Sequence, residues 1–242
     1  LVLDVKYGTG SFVKDPEKSE ELALALMAIA KGYGKKVAAL ITSMDEPMGR
    51  YSGNSLEVEE CVAIMKNEKH IGANGKDLYE DTRELSLQLS AHMLWLAGAA
   101  KTVEDSYHLA QVALGSGRAY EKFLQLCKIH GGDLKSLPRP KNKFEILSPK
   151  DGFIGAMNTE AIGVAGLKIK AGRTVTTDVI EPTAGIEFHF KTGDAIKKSQ
   201  TLFTVYGENL ELLELIEKDL LDSVTISEAK VNPRPLILKV LT

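Results

Sequence analysis

Cysteine is scarce in this chain of 242 residues, and its scarcity excludes a disulfide framework. Only two cysteines occur, Cys61 and Cys127, and each lies within an apolar helical pattern far from the other. Thiols in such surroundings are typical of reduced core residues in a protein of a reducing compartment. We therefore expect two free, buried thiols and no covalent cross-link.

Long hydrophobic runs are also missing. No apolar stretch approaches the roughly 20 residues that a membrane-spanning helix requires. The first residues lack the positively charged region of a signal peptide. We therefore expect a soluble, cytoplasmic protein with no membrane partner. Because the chain opens on Leu1 and not on Met, we also expect its first residue to be a cut rather than a natural start.

An excess of charge of one sign is absent too. The 30 basic and 33 acidic residues leave a net charge of −3, and the basic residues are scattered, so no electrostatic footprint for nucleic acid is present. The five histidines are dispersed, and none pairs with a cysteine or another histidine at the spacing of zinc ligands. No nucleophile elbow supports a Ser-His-Asp mechanism.

What is present is an apolar content large enough for two domains. Hydrophobic residues make up 44% of the chain, which allows a sizeable core. The stretch "GGDLKSLPRPKNK", residues 131–143, is rich in glycine, proline and lysine, a composition typical of a linker. We therefore expect one domain over residues 1–139 and a second over residues 140–242.

The first domain has the pattern of an α/β fold. An apolar run at residues 1–5 predicts a buried strand, and "KVAALITS", residues 36–43, predicts the next one. Between them, Asp15 is a good N-cap with Pro16 at the first helical position, and the helix is expected to stop near Gly32. Strand, helix and strand in this order predict a parallel sheet with a right-handed crossover. Further helices are expected at about 55–66, 77–100, 103–114 and 118–130.

The second domain is expected to be α+β. Its strands are short and broken by glycines, with one helix near 208–221 and a final strand pair within 224–241. "DGFIGAMNTEAIGVAGLKI" and "AGIEFHFKTGDAIKKSQTLFTVYGEN" are interpreted as two strand-turn-strand halves. The segment "TGDAIKKSQTLF" resembles a hairpin of lipoyl and biotinyl carrier domains, but the following turn, "VYGEN", lacks the modified lysine. We therefore expect a barrel-sandwich-like domain without a swinging arm.

The loop Gly8-Thr9-Gly10-Ser11 between the first strand and helix allows two interpretations. Backbone amides at such a turn can hold a phosphate at a helix N-terminus, or the glycines simply permit a tight turn. The specific nucleotide fingerprints are missing, because Val13 stands where the dinucleotide motif needs its third glycine. Phe12 likewise either faces a planar ligand or packs in the core.

A second candidate site is the stretch "MDEPMGRYSGNSLEVEE", residues 44–60. Its glycines free backbone carbonyls for an ion, and Glu57, Glu59 and Glu60 supply hard carboxylate oxygens within one helical turn. The alternative is a solvated acidic helix start that the helix dipole favours. Spacing alone favours the second interpretation.

Taken together, "LVLDVKYGTGSFVK", "AALITSMDEPMGRYSGNSLEVEE" and the barrel-like tail resemble the thymidine and pyrimidine-nucleoside phosphorylase family. The resemblance covers essentially the whole chain and implies a homodimeric enzyme that converts a pyrimidine nucleoside and phosphate into the free base and a pentose 1-phosphate. It also implies that the family's phosphate-binding Lys-x-Ser-x-Gly-Gly loop, its Thr-Gly-Gly-Thr stretch and its base-gripping side chains precede residue 1. None of these motifs occurs in residues 1–242, so we expect the chain alone to be inactive.

The resemblance assigns substrate-binding positions but no catalytic residue in this chain. In the family, the aromatic or apolar residue after the glycine loop lines the base pocket, and Phe12 matches it. Lys6, Gly8 and Gly10 belong to the strand end and loop that carry this residue, and we expect them near the substrate. Phosphate enters as the co-substrate.

The resemblance also implies a structural potassium ion. Bacterial members bind it partly through two backbone carbonyls and a carboxylate in the stretch Pro-Leu-Gly-x-x-x-Gly-Asn-x-Leu-Glu-Val-x-Glu, and these positions match Met48, Tyr51 and Glu60. Because these two ligands are backbone carbonyls, side chains that differ from the family's at Met48 and Tyr51 are tolerated. The resemblance places the remaining ligands before residue 1, so we expect this chain alone to bind the ion poorly or not at all.

Two alternatives remain open at this point. A relative that acts on a nucleoside monophosphate would need a second phosphate pocket rich in lysine or arginine, and the sequence offers no obvious one. A non-catalytic carrier or scaffold module could be built on the barrel-like tail, and a modified lysine would then be expected.

Overall fold

The computed structural model describes all 242 residues, and its first sheet is built around a parallel strand pair. Strands β1 (Val2–Tyr7) and β2 (Ala38–Ser43) pair in parallel, and helix α1 (Pro16–Gly32) connects them. The Asp15 side chain accepts hydrogen bonds from the amides of Glu17 and Lys18, and Pro16 occupies the first turn. The predicted capped crossover is therefore confirmed.

Helix α1 covers one face of this sheet. Its buried residues Ala23, Met27 and Ala30 pack on alternate residues of the two strands. The buried cluster comprises Val5, Tyr7, Ala23, Met27, Ala30, Val37, Ala39 and Ile41. Such alternation places every second strand residue on the same face. Lys6 therefore lies on the opposite face, which the helix at Glu80–Leu96 contacts.

Four helices follow, close to their predicted positions. They are α2 (Asn54–Met65), α3 (Glu80–Leu96), α4 (Val103–Gly115) and α5 (Arg118–Ile129). Helices α3 and α4 pack along one another, whereas α5 buries no residue. A 3-10 turn at Leu134–Ser136 leads into the second part of the chain.

The second part contains two antiparallel sheets around the larger core. Its strands and helices are β4 (Asn142–Leu147), β5 (Gly152–Met157), α6 (Thr159–Lys168), β6 (Gly185–Phe188), β7 (Ala195–Ile196), β8 (Thr201–Gly207), α7 (Leu210–Leu215), α8 (Glu217–Asp222) and β9 (Val224–Ser227). One sheet contains β6, β8 and β4, and the other has the order β7-β5-β9. Phe188 and Phe203 meet edge to face within this core, with ring centroids 5.9 Å apart. The sheets do not close into a barrel, and the α/β plus α+β fold class is confirmed.

The two parts exchange strands. Strand β3 (Tyr51–Gly53), from the first part, extends the sheet of β6, and the last strand, β10 (Ile237–Leu241), pairs antiparallel with β2. The two strands expected within 224–241 are present, but they do not pair with each other, because β9 pairs with β5 and β10 returns to the first sheet. A domain boundary at residue 140 stays a prediction.

Helix α6 corrects the interpretation of its segment as strand, turn and strand. The Asn158 side chain caps it by accepting from the amide of Ala161, and Ile162 and Ala165 are buried on its inner face. Its glycines, Gly163 and Gly166, meet no atom within 4 Å of an added Cβ. Glycine costs a helix about 1 kcal/mol relative to alanine, which the buried face can offset.

The cysteines are free but are not core residues. Cys61 is exposed and Cys127 is half-buried, so the predicted burial is wrong for Cys61. Their helices are apolar enough to have suggested burial, but Cys61 lies on the outer side of α2. No helix is both long and apolar enough to cross a membrane.

Candidate functional site

The loop after β1 depends on glycine at two positions. Gly8 has a φ of 102°, and an added Cβ there would lie 2.6 Å from Asp45 Oδ1. An added Cβ at Gly10 would lie 2.7 Å from the Thr159 methyl carbon. Real Cβ atoms do not approach other atoms so closely, so the close fit of the loop against two other segments explains both glycines.

The backbone amides of this loop donate within the chain. Gly8 N donates to the Lys14 carbonyl (3.2 Å), Gly10 N to the Met44 carbonyl (2.9 Å) and Ser11 N to the Gly8 carbonyl (3.1 Å). Thr9 N donates to Asp45 Oδ1 at 3.0 Å. The arrangement favours the tight-turn interpretation over a phosphate cradle, and a substrate role of Gly8 and Gly10 stays a prediction.

The start of α6, in the second part of the chain, also contacts this loop. Thr159 N donates to Thr9 Oγ1 at 3.2 Å, and Lys14 Nζ forms an ion pair with Glu160 at 2.9 Å. Lys14 Nζ also donates to the Thr9 carbonyl at 2.6 Å. The loop is therefore fixed at the start of α6 as well as at the end of β2.

Phe12 is fully exposed at the tip of this braced loop, with a relative exposure of 106%. The interpretation of Phe12 as a core residue is therefore wrong. The exposed apolar ring on this loop can contact a ligand or another protein segment. Which of these it contacts stays a prediction.

Lys6 lies close to the loop but is engaged elsewhere. Its ammonium group forms an ion pair with Asp4 at 2.6 Å, and Thr42 Oγ1 donates to the same carboxylate at 2.5 Å. The carbonyl of Lys6 accepts from Ser11 Oγ at 2.9 Å. The structure therefore places the Lys6 backbone at the loop and its side chain on the far face of the sheet.

A cavity of about 360 Å³ opens beside Thr9, between the carboxyl ends of β1 and β2 and the segment before β10. Asp45, Glu46 and Asp81 supply three carboxylates to its lining, and Arg234 supplies the one guanidinium, which pairs with Asp45 at 3.1 Å. An acidic lining repels phosphate. This cavity therefore does not provide the basic phosphate pocket that a nucleotide-acting relative would need.

The three glutamates of the acidic stretch separate in the fold. Glu57 and Glu59 are exposed, as expected for a solvated helix start, whereas Glu60 is buried. Glu60 Oε2 accepts from the amides of Arg50 (2.8 Å) and Tyr51 (3.1 Å). Burial raises the pKa of Glu60, and the nearby Asp81 charge acts in the same direction, while these amides oppose both.

The backbone next to Glu60 leaves one carbonyl outside the sheet. Phe188 N donates to the Arg50 carbonyl at 2.7 Å, so the alternation of an antiparallel ladder turns the Tyr51 carbonyl away from β6. No group of three or more acidic, histidine or cysteine side chains converges as a metal site. Any cation bound by Met48, Tyr51 and Glu60 would therefore depend on carbonyl oxygens.

Sequence reasoning missed Asp45, Asp81 and Lys191. Asp81 accepts from Gly49 N through both carboxylate oxygens (3.0 and 3.1 Å) and pairs with Lys191 at 2.9 Å. The position of Asp45 directly after a buried strand was a usable signal, because such strand ends often line sites. Lys191 is far from both carboxylates in sequence, and no local pattern indicates its partner.

Comparison with known proteins assigns the two parts of the chain to one class of enzyme. Residues 1–120 match the model of the glycosyl transferase family a/b domain, and residues 153–227 match that of the pyrimidine nucleoside phosphorylase C-terminal domain. The chain thus combines the α/β domain of the glycosyl transferase family with the C-terminal domain of pyrimidine nucleoside phosphorylases.

Individual relatives agree. The chain is 33% identical over 243 residues to pyrimidine-nucleoside phosphorylase of Geobacillus stearothermophilus, covering 98% of this chain and 54% of the relative. It is 35% identical over 248 residues to that of Staphylococcus aureus strain USA300, covering 100% of this chain and 55% of the relative. The chain belongs to the pyrimidine-nucleoside phosphorylase family and spans about half the length of the curated relatives it matches.

Proposed function

We propose that this chain forms part of a pyrimidine-nucleoside phosphorylase that converts thymidine- or uridine-type nucleosides and phosphate into free base and a pentose 1-phosphate. The observation that carries the proposal is the exposed Phe12 ring on a loop whose amides are all committed within the chain. A loop fixed in this way can present the ring as one apolar wall for a planar base without rearranging its backbone on binding. Family membership supplies the reaction class.

The reaction needs an anion held in line with the anomeric carbon, and it needs charge stabilisation on the departing base. The carboxylates that line the cavity beside the glycine loop would not hold the phosphate themselves. We assign them a positioning role, in which Asp45 and Thr9 fix the loop that presents Phe12. Groups that bind phosphate would come from outside residues 1–242, and the chain alone would then be inactive.

A potassium ion held by the carbonyls of Met48 and Tyr51 and the carboxylate of Glu60 is part of the proposal. Glu60 is buried, forms no ion pair and has a raised pKa, so a monovalent cation would compensate its charge. The outward-turned Tyr51 carbonyl fits the same role. The ion would supply structural stabilisation to this loop rather than chemistry.

The resemblance alone supports a homodimer, which remains part of the proposal. A cytoplasmic location agrees with the free thiols of Cys61 and Cys127, since reducing compartments keep thiols unpaired. A carrier module is less well supported, because the turn after β8 runs directly into the cap of α7. Asn209 there accepts from the amides of Glu211 and Leu212, and no lysine is displayed.

The test is phosphate-dependent release of uracil or thymine from its nucleoside. It is run on this chain alone and on the chain expressed together with the coding sequence immediately upstream of it. Activity only in the combined sample is the expected result. Uridine 5′-monophosphate serves as the competing substrate, and its preferential cleavage would replace the proposal with a nucleotide-acting enzyme. Absence of activity in every sample would contradict the proposed function.

A further inference from the structure

The turn between β6 and β7, residues 189–194, contacts the loop between β2 and β3, residues 44–50. Lys191 makes the central contact. Its ammonium group donates to the Pro47 carbonyl at 2.5 Å and to Asp81 Oδ2 at 2.9 Å, and its side chain is 15% exposed. A lysine this buried, with two oxygen partners, is a fixed cation rather than a solvated one.

Asp81 connects Lys191 to the β2–β3 loop. Both of its oxygens accept from Gly49 N, so the loop is held at Pro47 by the ammonium and at Gly49 by the carboxylate that the ammonium neutralises. Charge-assisted hydrogen bonds of this kind are about twice as strong as neutral ones. Lys191 therefore contacts one of the loop's anchors directly and stabilises the other.

The β6–β7 turn is rigid enough to act as an anchor. Asp194, whose side chain is 1% exposed, accepts from the Lys191 amide and from Lys76 Nζ, each at 2.8 Å. Gly193 N donates to the Ile154 carbonyl of β5 at 2.7 Å, which ties the turn to the second part. Thr192 N donates to Glu46 Oε2 at 2.8 Å, which is a further contact between the turn and the β2–β3 loop.

The other end of the β2–β3 loop holds the glycine loop. Asp45 accepts from Thr9 N, and the Met44 carbonyl accepts from Gly10 N. We propose that Lys191 is a positioning residue, which fixes the β2–β3 loop and, through Asp45, the glycine loop that carries Phe12. The expected effect of Lys191 on catalysis rests on the proposed function, whereas its effect on the positions of the two loops does not.

The charge of Lys191 also matters, because two carboxylates flank Gly49. Thr82 Oγ1 donates to Glu60 Oε1 at 3.3 Å and lies beside Asp81, which brings the two acidic side chains to one site. Lys191 is the only cation paired with Asp81, so removing the ammonium would leave the Asp81 charge uncompensated beside Glu60 and would weaken the hold of Asp81 on Gly49 N.

The experiment is hydrogen exchange of the peptides that cover residues 44–51 and 8–13, measured by mass spectrometry on the full chain. In Lys191→Met we expect both segments to exchange about tenfold faster, because a local opening free energy falls when an anchor is lost. Lys197→Met, which removes a 73% exposed lysine, is the matched control and should change neither segment. Lys191→Arg should restore slow exchange at least in part.

Unchanged exchange in Lys191→Met would overturn the proposal, as would faster exchange in residues 44–51 without any change in residues 8–13. Should Lys191→Met fail to fold, Lys191→Gln keeps one donor for the Pro47 carbonyl and is expected to give an intermediate effect. In the combined sample that shows activity, Lys191→Met should raise the nucleoside KM more than it lowers kcat. The hydrogen-exchange result does not depend on enzymatic activity, so the positioning role of Lys191 and the proposed function can be refuted independently.

Discussion

Asp45 Oδ1 accepts the amide hydrogen of Thr9 at 3.0 Å, and the same oxygen lies where a side chain at residue 8 would project. The end of β2 and the glycine loop therefore fit together through one carboxylate. Because the fit leaves no room for a Cβ, the loop conformation and the position of Asp45 depend on each other.

We first predict that Gly8→Ala destabilises the chain by about 2–4 kcal/mol, from the positive φ and from the clash with Asp45 together. Gly34→Ala is the matched control, since Gly34 has a φ of 68° but open space around it, and it should cost about 1–2 kcal/mol. Urea denaturation measures both. Equal losses would show that the Asp45 contact does not restrict residue 8.

Phe12 and Phe203 offer a second comparison, between an exposed and a buried ring. Phe12→Ala should leave the free energy of unfolding within about 0.5 kcal/mol of wild type, because the ring is fully exposed. Phe203→Ala should cost about 3–5 kcal/mol, because Phe203 is fully buried. In the combined sample that shows activity, Phe12→Ala should raise the nucleoside KM. An unchanged KM would remove Phe12 from the base pocket.

Local signals predicted the elements of the first part well. The Asp15 cap and Pro16 define the start of α1, and both are properties of adjacent residues. The pairing of β10 with β2 and of β3 with β6 was not predictable, because nothing within these short strands specifies partners so distant in sequence. Helix α6 was missed because Gly163 and Gly166 are typical of turns, while the buried stripe that favours the helix includes Ile162 and Ala165.

In the candidate site, too, local motifs were predictable and contacts between residues distant in sequence were not. The sequence indicated the glycine loop, Phe12 and the Glu60 stretch, since each is a contiguous motif. It did not indicate Lys191, whose contacts to Pro47 and Asp81 span 144 and 110 residues. Side chains that position a loop across two sheets are specified by tertiary packing, which a single sequence does not display.

His70 provides a third prediction, on pH. Arg50 Nη1 lies 2.6 Å from His70 Nδ1, and a guanidinium can only donate, so the imidazole accepts and must be neutral. Burial, followed by the Arg50 charge, lowers the pKa of His70 below its ordinary value of 6.5, although Glu187 and Asp77 oppose this shift and His189 adds to it. The unfolded state then binds more protons below pH 6.5.

Stability from this contact is therefore complete above pH 6.5 and is lost as the pH falls below that value towards the lowered pKa. In His70→Gln, the amide oxygen can accept from Arg50 without titrating, so this variant should lose less stability than wild type between pH 6.5 and pH 5. His130→Gln, at an exposed position, is the control. Parallel losses in wild type and His70→Gln, measured by thermal unfolding, would refute a neutral His70.

Glu60 gives the last prediction, because its pKa shifts in the opposite sense to that of a salt-bridged carboxylate. Burial raises the pKa of Glu60 above its ordinary 4.5, so the folded state holds the proton more tightly than the unfolded state. The stabilising contribution is present below pH 4.5 and is lost as the pH rises through the raised folded pKa. Relative to Glu60→Gln, wild type should therefore become less stable across this rise.

A bound potassium ion would reverse part of this loss by compensating the ionised Glu60. At pH 7.5, KCl should stabilise wild type more than choline chloride of equal ionic strength does, by about 0.4 kcal/mol when the ion concentration equals Kd and by about 1.4 kcal/mol at ten times Kd. Glu59→Gln, at an exposed neighbouring position, should retain this difference, and Glu60→Gln should lose it. If Glu60→Gln keeps the potassium response, the ion is not bound by this carboxylate, and the raised pKa of Glu60 reflects burial without a cation.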